Sequence, residues 1–169
     1  MNHPWIKIII LLFLYSIPRN AHCTETSSFL IGGYGTIFVH ESGHALITKY
    51  LGGEVLAFRP YPTKILYIEP DGTKSEKWVL GVVAHKPFEG EDGDQKNAIV
   101  AGTGSVANTL SVFILAPLLP KLSSNFSKAT LDSMLYFSSF EMAAYVTGDM
   151  IFQNPHGDWN QVSKLTGTS

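Results

Sequence analysis

The sequence has little charge and almost no cysteine. Aspartate, glutamate, lysine and arginine make up only 15% of its 169 residues, whereas about 25% is usual in a soluble domain. The formal net charge of −2 leaves no basic footprint and argues against nucleic-acid binding. The single cysteine, Cys23, excludes a disulfide within the chain. Because hydrophobic residues make up 45% of the sequence and cluster in runs, the composition indicates a membrane protein rather than a large soluble core.

Three apolar runs and one β-like segment organise the chain. The runs cover residues 28–50, 98–119 and 131–153. Each is long enough for a helix that crosses a bilayer. The β-like stretches lie between the first two runs and cover residues 54–59, 64–69 and 77–85. The sequence therefore predicts a mainly α-helical membrane protein, with about three transmembrane helices and a small β meander between the first and the second.

Residues 1–23 have the features of a targeting segment. Lys7 supplies an early positive charge, and residues 8–17 form an apolar core that is too short to span a bilayer comfortably. Small residues at 21 and 23 fit a cut before Thr24. We therefore expect a signal peptide, or alternatively an uncleaved N-terminal anchor, followed by a single membrane-embedded domain over residues 24–169.

The first apolar run contains the motif HESGH at residues 40–44. His40 and His44 are four residues apart and lie on one face of a helix, so both imidazoles can bind one ion. Zinc takes imidazole nitrogen at roughly 2.0–2.1 Å. The adjacent Glu41 can then accept a proton from a water that the metal activates. The alternative is a buried polar cluster without a metal, but unpaired burial of such groups costs several kcal/mol.

A catalytic zinc site needs a third protein ligand and one open position for water. The candidates in the sequence are Asp149, His156 and Asp158, with His85 as a more distant one. Asp158 follows an Asn-Pro pair at residues 154–155, which ends a helix and can turn the chain back towards the motif.

Two further polar residues lie inside apolar runs. Asn108 is the one strongly polar side chain of the second run, and either contacts the substrate or the oxyanion or makes a hydrogen bond between helices. Glu141 lies near the middle of the third run and needs a partner or water. Glu141 and Asp149 either orient a metal ligand or face another helix or the aqueous boundary. We favour the second interpretation for Glu141, whereas the two are equally good for Asp149.

Three motifs resemble those of the site-2 protease family of intramembrane zinc metalloproteases. They are HESGHAL at residues 40–46, AGTGSVAN at 101–108 and NPHGD at 154–158. The resemblance spans roughly residues 28–160. It implies that Asp158 is the third zinc ligand, and that the β-like segment 54–87 can pair with an extended substrate.

We therefore expect an intramembrane zinc endopeptidase that cleaves membrane protein or peptide substrates within the lipid bilayer. His40, His44 and Asp158 bind Zn²⁺, and Glu41 is the general base. One alternative is a catalytically inactive zinc-binding membrane scaffold, because Trp159 follows Asp158 where the family usually has glycine. Another is a soluble or peripheral metallopeptidase whose apolar runs form a globular core.

The predicted topology places the active site towards the cytoplasmic face of a multi-pass membrane protein. If the first segment is cleaved, the three runs cross out to in, in to out and out to in. The end of the first run and the tail after the third then share one side. Residues 51–97, with Arg59 and five lysines, lie on that same side, as the positive-inside tendency favours.

Overall fold

The computed structural model describes residues 23–68, 72–152 and 158–167. In chain order its elements are α1 (Cys23–Tyr50), β1 (Val55–Arg59), β2 (Thr63–Ile68), β3 (Lys74–Val79), β4 (Val82–His85), α2 (Gly93–Leu115), a 3₁₀ helix (Ala116–Lys121), α3 (Asn125–Phe152) and α4 (Asp158–Thr166). The predicted fold, mainly helical with a small β region between the first two long helices, is confirmed at this level. The predicted targeting segment lies outside the described residues, apart from Cys23 at the start of α1.

The end of α1 carries a glycine-based stop signal. Gly52 has a φ of +82°, a left-handed conformation that glycine adopts without a steric penalty. Its amide donates to the carbonyl of Lys49 at 3.0 Å, and the amide of Gly53 donates to that of Thr48 at 2.8 Å. This pair of hydrogen bonds is the Schellman motif. It ends the helix two turns after the HESGH motif and directs the chain into the β region.

The prediction of a β meander is wrong, because consecutive strands do not all pair with each other. β1 pairs with β4 and β2 pairs with β3, both antiparallel, so one hairpin is nested inside the other. Pro60 and Pro62 lie between β1 and β2. Since proline has no amide proton, this connection cannot continue a ladder between those two strands. The stretch predicted as one strand over residues 77–85 is interrupted at Leu80 and Gly81 and belongs to two strands.

The interface between α1 and α3 is made of small and hydroxyl-bearing residues. The Ser133 hydroxyl donates to the Phe29 carbonyl at 2.9 Å. The Thr36 hydroxyl lies 3.2 Å from the carbonyl oxygens of both Gly32 and Met134. Such contacts let helix backbones approach closely and satisfy the polar groups between them.

The face of α2 that packs inwards also consists of small or polar residues. Its buried positions include Ala101, Gly104, Ser105 and Asn108, which recur at the spacing of one helix face. The run of small residues over 101–105 predicts a packing face for this helix, and its members Ala101, Gly104 and Ser105 are buried as that predicts. α2 contacts α1, α3 and α4, and it is the element around which the other three helices pack.

Large apolar side chains lie on the outside of the described helices. Leu46 in α1 and Phe113 in α2 are 71% and 73% exposed, whereas Thr36 and Asn108 are 3% and 1% exposed. A soluble domain shows the opposite distribution, with large apolar residues inside and polar residues outside. The described part of the chain is thus polar inside and apolar outside.

Among the described helices, one is long and apolar enough to cross a membrane on the basis of length and composition. It is α2 together with the 3₁₀ helix, Gly93–Lys121, 29 residues long. α1 and α3 are each 28 residues long, but ionisable residues such as Glu41 and Glu141 lower their hydropathy. All three predicted membrane crossings therefore remain predictions.

Replacing Gly32 with alanine is expected to destabilise the protein, whereas the same change at Gly35 is not. A Cβ atom at residue 32 would lie 2.7 Å from Ser133 Cβ and from the Thr130 carbonyl oxygen, and the nearest atom at residue 35 is Met134 Sδ at 3.4 Å. Overpacking of this kind costs about 1–3 kcal/mol, which outweighs the ~1 kcal/mol gain in helix propensity. Thermal unfolding of the purified variants measures the difference. Equal stability of the two variants would contradict the described packing of α1 against α3.

Candidate metal centre

α1 brings the two histidines of the HESGH motif together, as their spacing predicts. The Nε2 atoms of His40 and His44 lie 3.0 Å apart. Both side chains are buried, with 4% and 9% of the residue surface exposed. They point from α1 towards α2 and α4 rather than towards solvent.

Asp158 is the third member of the cluster. It is the first residue of α4, and its Oδ2 lies 3.2 Å from Nε2 of His40 and 3.5 Å from Nε2 of His44. Within the described part of the chain, these three residues form the only group of three or more side chains with metal-binding geometry. His85, at the end of β4, is not part of it. His156 lies outside the described residues. Asp149 belongs to α3, but the structure does not describe its side chain.

The groups that face Nδ1 of each histidine favour a proton on that nitrogen. Nδ1 of His44 is 2.7 Å from the Val100 carbonyl oxygen, which can only accept, so Nδ1 carries the proton. Nδ1 of His40 is 2.7 Å from Oε1 of Glu141, and an ionised carboxylate also only accepts. In the neutral form, which is the one that binds a metal, each imidazole has one N–H at Nδ1, and its Nε2 atom presents a lone pair. Both lone pairs are directed towards the carboxylate of Asp158.

This arrangement fits a bound cation. Three lone-pair donors lie within 3.5 Å of one another and repel unless a positive charge lies between them. Oδ2 of Asp158 is buried, and within the described residues it accepts no hydrogen bond of normal geometry. Ligands about 2.0–2.1 Å from a tetrahedral zinc ion are about 3.3 Å apart, close to the three distances observed. Two imidazoles and one carboxylate could therefore hold a metal ion here, and the donor set suits zinc.

The charge state of Asp158 agrees with a ligand role. Burial by itself would raise the pKa of its carboxyl, but when no metal is bound, hydrogen bonds and positive charge from the protonated imidazoles of His40 and His44 outweigh burial and hold that pKa below its usual value. The carboxyl is therefore ionised at neutral pH, the form in which it binds a metal.

Gly104 in α2 leaves the space that the ligand atoms occupy. A Cβ atom on Gly104 would overlap Nε2 of both His40 and His44. Since alanine or any larger residue would fill this space, the lack of a side chain at residue 104 is a requirement of the cluster. The small-residue face of α2 therefore serves the site as well as helix packing.

Glu41 lies beside the cluster and outside the ligand set. It is 8% exposed, and its carboxylate packs against the connection between β3 and β4. A Cβ atom on Gly81 would lie 2.5 Å from Oε1 of Glu41, so the backbone at Gly81 approaches the carboxylate closely. The break between the two strands thus coincides with the place where the chain passes Glu41.

Asn108 and Glu141 contact each other next to His40. Nδ2 of Asn108 donates to Oε2 of Glu141, while Oε1 of Glu141 faces His40. Glu141 therefore faces other helices, and its carboxylate also contacts one of the candidate ligands. The amide of Asn108 makes a hydrogen bond between helices, and its contact with a substrate stays a prediction.

Comparison with known proteins gives no family assignment. The chain matches no protein-family model, and no curated protein or solved structure is significantly similar to it. Only the three sequence motifs and their geometry in the structure therefore indicate what the protein does.

Proposed function

We propose that the protein is a membrane-embedded zinc endopeptidase that hydrolyses peptide bonds of membrane protein or peptide substrates. The observation that carries the proposal is the convergence of three lone-pair donors, from His40, His44 and Asp158, with the buried carboxylate of Glu41 beside them. Two histidines and a carboxylate with a neighbouring glutamate form the donor set of a hydrolytic zinc site.

The chemistry divides between the metal and Glu41. A zinc ion held by His40, His44 and Asp158 supplies Lewis-acid chemistry, which polarises a carbonyl group and acidifies water. Glu41 accepts the proton of the water that attacks the scissile carbonyl carbon. It then gives this proton to the leaving nitrogen as the C–N bond breaks, so the products are a carboxylate and an amine.

The distribution of side chains supports a bilayer as the surroundings. Large apolar residues such as Leu46 and Phe113 are exposed, and the polar residues and glycines lie between the helices, as in membrane helix bundles. The alternative of a soluble enzyme requires the apolar runs to form a core, but among the described residues the buried hydrophobic ones are only Ala98, Val100 and Ala101. The proposal includes a multi-pass topology with the site towards the cytoplasmic face, an orientation that the lysines around the β region favour.

The β region offers a place for an extended substrate. β4 pairs with β1 on one side, and within the described residues its other edge pairs with no strand. The β3–β4 connection at Gly81 touches Glu41. A peptide that adds to this free edge by backbone hydrogen bonding therefore runs close to the general base.

Cleavage assays with the purified protein test the proposal. Labelled casein in detergent and a single-helix membrane reporter in liposomes serve as probes. We expect cleavage of at least one probe that stops on zinc chelation and returns when zinc is added back. A protein that binds zinc but cleaves neither probe would support the zinc-binding scaffold instead. Extraction of native membranes with alkaline carbonate tests the location, and release of the protein would favour the soluble or peripheral alternative.

A further inference from the structure

Glu141 connects the metal cluster to two helices. It lies on α3; Oε1 is 2.7 Å from Nδ1 of His40 on α1, and Oε2 accepts from Nδ2 of Asn108 on α2. We propose that Glu141 is a positioning residue that holds the imidazole of His40 with Nε2 towards the metal, and that Asn108 secures the carboxylate in this orientation. This inference rests on the metal-binding part of the proposed function and not on protease activity.

The position of the proton on the His40 ring supports this role of Glu141. An imidazole on a helix can rotate and can carry its single proton on either nitrogen. A carboxylate oxygen 2.7 Å from Nδ1 favours the proton there, because an ionised carboxylate is negative and has no proton to donate. Nε2 is then left with the lone pair that a metal ligand needs. Metal-binding histidines in other proteins are commonly oriented through this kind of contact.

The two histidines differ in the group that faces Nδ1. His44 is oriented by the carbonyl oxygen of Val100, a neutral backbone group that substitution cannot remove. His40 is oriented by a charged side chain from another helix. The orientation of His40 therefore depends on how α3 packs, and Glu141 is the group through which α3 acts on the site.

The negative charge of Glu141 also favours metal binding at the cluster. Glu141 and Asp158 together bring two negative charges to a site where both side chains are mostly buried. A divalent cation neutralises this charge, which is otherwise held in surroundings of low dielectric constant. Glu141 thus favours a doubly charged ion at the cluster.

Asn108 explains why the carboxylate has one orientation. Asn108 is 1% exposed and has its amide nitrogen on Oε2 of Glu141. The other oxygen is thereby directed to His40. Because the donor of Asn108 is engaged in this way, we infer that Asn108 acts on the site through Glu141.

The test is zinc affinity of the full-length protein, measured by competition with a chromophoric chelator. Glu141→Gln keeps the shape of the side chain and an oxygen for Asn108, but removes the charge. We expect zinc affinity to fall by roughly 10–100-fold, the range found for groups that orient ligands. Ser133→Ala is the matched control, since it removes a different hydrogen bond of α3 to α1, and its zinc affinity should equal that of the wild type. An affinity of Glu141→Gln within twofold of the wild type would overturn the proposal.

A second measurement on the wild-type protein does not depend on how the variant folds. Nitrogen-15 NMR of the zinc-loaded protein, with labelled histidine and His40→Ala for assignment, reports which ring nitrogen carries the proton. We expect a protonated Nδ1 and a metal-bound Nε2 for His40. Metal bound through Nδ1 of His40 would overturn the proposal. A wild-type protein that binds no zinc would instead remove the proposed function itself, so the two failures are distinguishable.

Discussion

Glu41→Gln is expected to abolish peptide-bond cleavage while the protein still binds its metal. Glu41 lies outside the three-residue cluster, so the ligand set is unchanged. Glutamine has nearly the same shape and preserves the packing against Gly81, but its amide cannot accept the proton of the attacking water. Loss of a general base lowers the rate by about 10²–10⁴-fold. Cleavage rate and zinc content of the same preparation are the two readouts.

The matched control for this prediction is Glu76→Gln. Glu76 is an exposed residue of β3 that forms a salt bridge with Lys64 at 3.0 Å. It is a glutamate like Glu41, but it has no role in the proposed reaction. We expect both its cleavage rate and its zinc content to equal those of the wild type. Unchanged cleavage by the Glu41 variant would refute the assignment of the general base, whatever the metal content.

Gly104→Ala is expected to remove metal binding, although residue 104 carries no ligand atom. The added methyl group would overlap Nε2 of both His40 and His44, and α2 cannot move away because it also packs against α3 and α4. We expect zinc affinity to fall by more than the roughly 10–100-fold typical of groups that only orient a ligand.

Gly102→Ala is the control on the same helix. A Cβ atom there would lie 3.5 Å from Cγ2 of Val162, an ordinary contact. Both substitutions raise helix propensity by the same amount, so a difference between them reports the site and not the helix. If Gly104→Ala binds zinc as tightly as Gly102→Ala, the description of the cluster against α2 is wrong.

The sequence was most informative where a single helix determines the geometry. The spacing of His40 and His44 predicts two imidazoles on one face, and the structure has their Nε2 atoms 3.0 Å apart. The run of small residues over 101–105 predicts a packing face, and Ala101, Gly104 and Ser105 are buried in α2. In both cases the relevant residues are at most two turns apart, so the helical repeat alone places them.

The sequence was less informative where distant elements meet. Residue spacing alone does not choose among Asp149, His156 and Asp158; the motif resemblance favours Asp158, and the packing of α4 against α2 brings Asp158 to the histidines. The contact of Glu141 with His40 joins α3 to α1. One signal for it was present, since a carboxylate inside an apolar run needs a partner, but the run itself does not say which.

Backbone contacts of the site could not be predicted at all. The Val100 carbonyl that orients His44 and the close approach of Gly81 to Glu41 depend on backbone positions, which residue types do not encode directly. The nested pairing of the strands is a similar case. Proline between β1 and β2 argues against their pairing, but the choice of β4 as the partner of β1 depends on how the chain returns across α1.

Zinc content of the purified full-length protein tests the central claim most directly, with His40→Ala and Asp158→Asn prepared in parallel and His156→Ala as a control. We predict about one zinc ion per chain in the wild type and in the control, and loss of that zinc in the other two variants. A folded wild-type protein without zinc, even after zinc is added, would contradict the account. His40, His44 and Asp158 would then be a buried polar cluster, and the proposed protease would have no basis.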